Sequence, residues 1–172
     1  MRFKGQVFRA HNPRWSFAPL SGDGAARHGG RFNPLGTPAL YTSLRMETAW
    51  LEAQQGFPFK PQPLTICAYQ VDCEPVLDLT DAAILREHRI TPETLACAWE
   101  DMADRDVTPP SWTLAHTLIA QGIAAIIVPS FAPGATRADR NVVFWRWSDA
   151  LPSSLRLIDD EGRIPKGPAS WA

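Results

Sequence analysis

The chain has 172 residues, 45% hydrophobic and 20% charged, with a formal net charge of −1. That is the profile of one domain, which buries about 70% of its unfolded surface without staples, and a near-neutral charge argues against a nucleic-acid binder that works mainly by charge. Three cysteines form neither a disulfide framework nor a zinc pattern, so reduced thiols in a cytosolic protein are expected, and without an apolar leader or a run of about 18 apolar residues no membrane span is expected.

Residues 6–10 alternate and predict a first strand. The stretch 11–38 is rich in Gly, Pro and Asn; loops beyond about 12–15 residues in a compact domain are usually functional. Residues 39–43 predict a short buried strand, with Ser43 capping a helix that runs to Gln55 and ends at Gly56. Strands are expected over 64–71 and 76–79, joined by a turn at 72–75, then a short helix over 81–87. Thr91, Pro92 and Glu93 open a helix that reaches Glu100 or a little further, and another helix spans 110–121 before Gly122. Next come an apolar strand over 124–128, a loop over 131–140, an aromatic strand over 141–147, an edge strand over 155–158 and a fraying tail beyond Glu161. This mixture is α+β. Trp15, Trp50, Trp99, Trp112, Trp145 and Trp147 are read as core residues by default.

The charge is unevenly spread. Residues 1–60 hold eight basic against three acidic residues, and 61–131 hold three against ten. A positive first third suits an anionic ligand and an acidic middle suits a partner, with plain solvated faces as the alternative. The informative block is 27–52, RHGGRFNPLGTPALYTSLRMETAWLE. Gly29 and Gly30 permit close backbone approach or positive φ, and Arg31 follows with a fork suited to phosphate or carboxylate. Leu44, Thr48 and Leu51 line one helix face with Glu52 beside it. A glutamate near the buried side needs a partner; Arg31 is the natural candidate, and a purely structural Arg31–Glu52 pair stands beside a ligand-binding role. Neither a dinucleotide fingerprint nor a P-loop is present. His11, His28, His88 and His116 lack metal spacing, so no metal is expected, and the missing G-x-S-x-G disfavours a serine hydrolase. Ser130 ends an apolar strand, where both plain polar termini and binding groups occur.

The segments GGRFNPLG and TPALYTS, then Glu52 eleven residues after Tyr41 and Val-Pro-Ser ending at Ser130, resemble the RES-domain family. These are toxins of bacterial toxin–antitoxin pairs, named for an arginine, a glutamate and a serine. The match extends from Val7-Phe8-Arg9 to the strand opening with Asn141. The resemblance implies a single RES domain over 1–172, a diphtheria-toxin-like ADP-ribosyltransferase fold with mixed or antiparallel sheets and flanking helices, and NAD as substrate. It implies Arg31, Tyr41 and Glu52 as catalytic residues, and Arg31, Tyr41, Ser130 and Asn141 as residues that hold NAD. In this scheme Arg31 clamps the pyrophosphate or nicotinamide ribose side, Tyr41 orients the nicotinamide, and Glu52 faces the developing ribosyl cation. Glu47 is the competing carboxylate, but its distance from Tyr41 does not fit the family pattern.

After Ser130 the sequence FAPGATRADRNVVFWRW departs from the N-x-x-x-N-P of NAD-depleting members. It resembles the subgroup that modifies phosphoribosyl-pyrophosphate synthetase. Mono-ADP-ribosyl transfer to a host protein is therefore expected, with the loop bearing Arg137 and Arg140 helping to select the acceptor; hydrolysis or phosphorolysis of NAD is the alternative. The implied partner is a small helical antitoxin whose C-terminal segment blocks the NAD pocket, and the implied location is the cytoplasm. A non-catalytic binding module and a structural partner of the acidic middle are the competing classes.

Overall fold

Alternation along 65–73 turns Cys67, Tyr69, Val71 and Cys73 inward and makes this stretch half of the longest antiparallel pair, with Val7 opposite Tyr69. The computed structural model describes residues 1–54 and 62–171; the expected helix end at Gln55 and Gly56 lies outside them. The elements in chain order are β1 (Phe3–His11), α1 (Asp23–His28), β2 (Leu40–Ser43), α2 (Met46–Ala53), β3 (Thr65–Cys73), β4 (Val76–Asp78), α3 (Ala82–Glu87), α4 (Pro92–Ala96), α5 (Trp99–Asp104), α6 (Pro110–Ala120), β5 (Ala125–Pro129), β6 (Arg140–Phe144) and β7 (Ser153–Leu157). The strands form one mixed sheet in the order β4-β5-β6-β2-β1-β3-β7. Only β4 and β5 run parallel.

The sheet curls round on itself. Only Glu74 and Pro75 separate β3 from β4, a reach of about 11 Å, yet the two strands stand five places apart, about 24 Å in a flat sheet. Val76 accordingly exchanges backbone hydrogen bonds with Met1, which precedes β1. The expected β3–β4 turn exists, but it is no hairpin: β4 pairs with β5 at the far edge.

Two cores result. Val7, Leu40, Tyr69, Ile127, Val142 and Phe144 pack together in one. Ile126, Val128 and Val143, which alternate with those strand residues, pack with Leu79, Leu95 and Leu118 in the other. Because successive side chains point to opposite faces, both faces of β5 and of the Val142–Phe144 part of β6 are covered, and these stretches have no polar side to read.

Several expectations need correction. Within 11–38 a short helix, α1, forms and stops at Gly29, whose φ is +70°. Ser43 caps nothing: it ends β2, while Arg45 is the N-cap of α2 and supplies no side-chain bond. The helix expected from Thr91 to Glu100 is two helices, interrupted at Cys97 and Ala98. β6 ends at Phe144 rather than Trp147, and the tail contains a 3-10 turn over Pro168–Trp171. Trp15 and Trp50 are exposed, at 56% and 43%. No helix among the described residues is long and apolar enough to cross a membrane.

Candidate active site

The long 11–38 segment is held down by indoles. Trp112 and Trp145 donate to the Gly30 and Phe32 carbonyls at 2.7 and 2.8 Å, and Trp147 donates to Leu20 at 3.1 Å. Arg31 lies between the first two anchors. Gly30 and Asn33 exchange backbone hydrogen bonds, and the fully buried Asn33 amide donates to the Ala25 and Thr37 carbonyls. A Cβ on Gly30 would sit 2.6 Å from both Asn33 Oδ1 and Tyr41 Oη. Glycine is therefore required by close approach.

Arg31 points away from this loop. Its guanidinium donates to the Cys97 carbonyl at 2.6 Å and the Leu95 carbonyl at 3.4 Å, with Cζ 4.4 Å above the Phe131 ring, a cation–π arrangement. Burial lowers its pKa, opposed by the fields of Cys97, Glu52 and Tyr41. The expected Arg31–Glu52 ion pair does not form among the described residues: carbonyls take the arginine, and hydroxyl and amide donors take the glutamate.

Tyr41 sits on β2 opposite Val143. Its hydroxyl accepts from the Phe32 N–H at 2.9 Å and donates to Asn33 Oδ1 at 2.7 Å. Burial pushes this phenol well above its ordinary pKa, so it stays protonated.

Glu52 reaches the same place from α2. Its Oε1 accepts from Ser130 Oγ and from Asn141 Nδ2, each at 2.5 Å. Ser43 Oγ donates to Asn141 Oδ1 at 2.7 Å, which turns the amide nitrogen toward Glu52. One turn earlier on α2, Thr48 donates to Asp139 Oδ1 at 2.6 Å, while the Asp139 carbonyl accepts from Ser130 N at 2.8 Å. Asp139 thus ties the helix carrying Glu52 to the segment carrying Ser130. Its carboxyl is held down at about 2, first by Thr48 and then by Thr136, despite some desolvation.

Two joined cavities, about 240 and 420 Å³, share Arg9, Tyr41, Glu52 and Asn141 in their walls; ligand pockets commonly run to about 300–1,000 Å³. Arg31, Trp99 and Phe131 line the larger one. Arg31, Tyr41, Glu52 and Asn141 therefore meet at one cleft, and Ser130 reaches it through Glu52; Glu47 lies outside these walls and pairs with Arg45. Sequence reasoning missed Arg9, whose guanidinium donates to the Pro19 and Ser21 carbonyls, both at 3.1 Å, and whose pKa burial lowers. An arginine in an alternating strand, just before a Gly- and Pro-rich loop, was the available signal. Phe131 was also missed as a wall of the cleft. Among the described residues no group of three or more His, Cys, Asp or Glu can hold a metal ion.

The cleft offers two cations, a carboxylate fixed by two short hydrogen bonds, and aromatic walls. It can receive an anionic ligand and stabilise positive charge that develops beside Glu52. The RES domain family model matches residues 6–166. No curated protein matches the chain by sequence. In structure the chain is similar to one in the crystal structure of the M. tuberculosis MbcT–MbcA toxin–antitoxin complex, with a TM-score of 0.63 and 19% identity over 92% of this chain and 84% of that one.

Proposed function

The chain belongs to the RES domain family, and from that premise we propose that it is the toxin of a toxin–antitoxin pair, acting on NAD as a mono-ADP-ribosyltransferase. On this reading residues 1–172 form one domain with a diphtheria-toxin-like ADP-ribosyltransferase fold and work in the cytoplasm. The observation that carries it is Glu52, held at 2.5 Å by both Ser130 and Asn141 in a cleft shared with Arg9, Arg31 and Tyr41. The donor set suits NAD: guanidiniums for the pyrophosphate, aromatic rings for the nicotinamide, and a carboxylate for the ribose.

Cleavage breaks the bond between the ribose and the nicotinamide nitrogen. Nicotinamide leaves with the bonding pair, and positive charge spreads over the ribose as in other glycosidic cleavages. Glu52 stabilises that charge. Ser130 and Asn141 keep its carboxylate aimed, while Arg31 and Arg9 hold the anionic part of the substrate. The acceptor then bonds to the ribose carbon and loses its proton.

The acceptor proposed is a host protein, phosphoribosyl-pyrophosphate synthetase being the one implied by the segment after Ser130. A helical antitoxin is the proposed partner, its C-terminal segment blocking the cleft; an antitoxin shortened at that end then fails to inhibit, and unchanged inhibition would refute the plug. The enzyme reading is tested with NAD labelled in the adenylate, by measuring free nicotinamide and acid-insoluble label. Both together indicate transfer, nicotinamide alone indicates hydrolysis or phosphorolysis, and neither refutes the enzyme.

A further inference from the structure

Another cavity, of about 520 Å³, adjoins the larger part of the cleft at Phe131. Leu79, Leu85, Leu95 and Phe131 make its apolar wall, and Arg137 and Arg140 stand at it. Phe131 lines both cavities. Leu95 lines this cavity, and its carbonyl accepts from Arg31. Arg137 is exposed and Arg140 half-buried, and neither guanidinium is ion-paired among the described residues, in contrast to Arg45, which meets Glu47 and Asp139.

An apolar pocket with two uncompensated guanidiniums matches a ligand that joins an apolar body to a negative charge. We propose that this cavity is the docking site for an acidic segment of the acceptor protein, with a leucine-sized side chain against Leu85, Leu95 and Phe131 and a neighbouring carboxylate on Arg137 and Arg140. The inference rests on the transfer reading, because only transfer requires a protein acceptor beside NAD. It also gives the two sites a physical link: an occupant presses on Phe131 and Leu95, the ring and the carbonyl that hold Arg31. Linkage then requires each ligand to alter the affinity of the other by the same factor.

The test is an NMR titration of the isotope-labelled full chain with the capped hexapeptide Gly-Glu-Leu-Leu-Glu-Gly. Saturable shifts are expected at residues 85, 95, 131 and 137. Affinity falls at least about tenfold when both peptide glutamates become glutamine, when both leucines become glycine, or when the protein carries Arg137→Glu with Arg140→Glu. Leu85→Trp fills the cavity and causes the same loss with both charges intact. The slow release of nicotinamide to water, measured with no acceptor present, stays within about twofold of the original in the charge-reversed protein. Absent shifts, equal binding by the charge-reversed protein, or binding of octanoate but not of the peptide would each overturn the proposal. Peptide binding is read without NAD, so a failure of the original chain to release nicotinamide counts against the NAD reading alone.

Discussion

Replacing Glu52 by glutamine removes the charge of the carboxylate while keeping the shape of the side chain. The side chain keeps its length, and its oxygen still accepts from Ser130 and Asn141, which now hold it at 2.5 Å each. What is lost is the attraction between the carboxylate and the ribosyl cation. At a separation of about 4 Å and an effective dielectric near 20 that attraction is about 4 kcal/mol, equivalent to about a thousandfold in rate. Because the charge develops only in the transition state, the loss falls on kcat, while KM for NAD stays within a few-fold. Glu52→Asp is the companion variant: one methylene shorter, it keeps the charge but retreats from both donors, and it falls between the two. Initial rates of nicotinamide release, at matched folded fraction by circular dichroism, decide the matter. A Glu52→Gln protein within about tenfold of the original, or one whose defect lies wholly in KM, refutes Glu52 as the stabiliser of the cation.

Asn141→Asp sets a second carboxylate within hydrogen-bond distance of Glu52; like charges that close share a proton, so the pH–rate profile gains an acid limb displaced upward by a unit or more, and superimposable profiles refute the contact. Gly30→Ala drives a methyl to 2.6 Å from Asn33 and Tyr41, a clash expected to cost about 1–3 kcal/mol, seen as a Tm lower by several degrees; an unchanged Tm refutes the packing. Asp139 titrates near 2 in the folded chain against an ordinary 3.8. A depressed carboxylate contributes stability above its unfolded pKa and loses it as pH falls through the folded value, so the Tm gap between the original and Asp139→Asn narrows from pH 5 toward pH 2. A constant gap refutes the Thr48–Asp139 bond as its source.

The cleft is legible in the sequence where its residues are contiguous with rigid spacing. The stretch around Gly30, Arg31 and Tyr41, with Glu52 on the next helix, is such a block, and the structure gathers these residues at one cleft. Partners that approach from a distance in sequence were not legible. Arg31 and Glu52 are the natural pair by charge, yet Arg31 goes to carbonyls 64 and 66 residues away and Glu52 to side chains 78 and 89 residues away. Strands with full apolar runs, such as β5, were read well, because covering both faces leaves a continuous pattern. Their pairing was not: β3 and β4 adjoin in sequence and part in space, since the sheet curls back after Pro75. The tryptophans were legible only in part, for a related reason. Trp145 and Trp147 do pack against the cores as expected, but with Trp112 they also donate N–H groups to the carbonyls of the long loop, and nothing local marks that use.

Arginines in two different settings explain how a net charge of −1 coexists with a cleft lined by cations. On the surface, Arg2 meets Asp72 and Arg163 meets Glu161, and each pair cancels its own charge. In the cleft, Arg9 and Arg31 rest on backbone carbonyls. A carbonyl dipole orients a guanidinium and replaces part of its lost water, but it leaves the formal charge uncancelled. Burial accordingly lowers both pKa values, and a guanidinium has so much reserve that it stays charged. The cleft therefore presents two fixed cations and one carboxylate. On the proposed reading, a dianionic pyrophosphate balances the cations and the Glu52 carboxylate faces the ribose. Had Glu52 paired with Arg31, as the sequence alone suggests, each would have neutralised the other, and the separate roles proposed for them at the cleft would be lost.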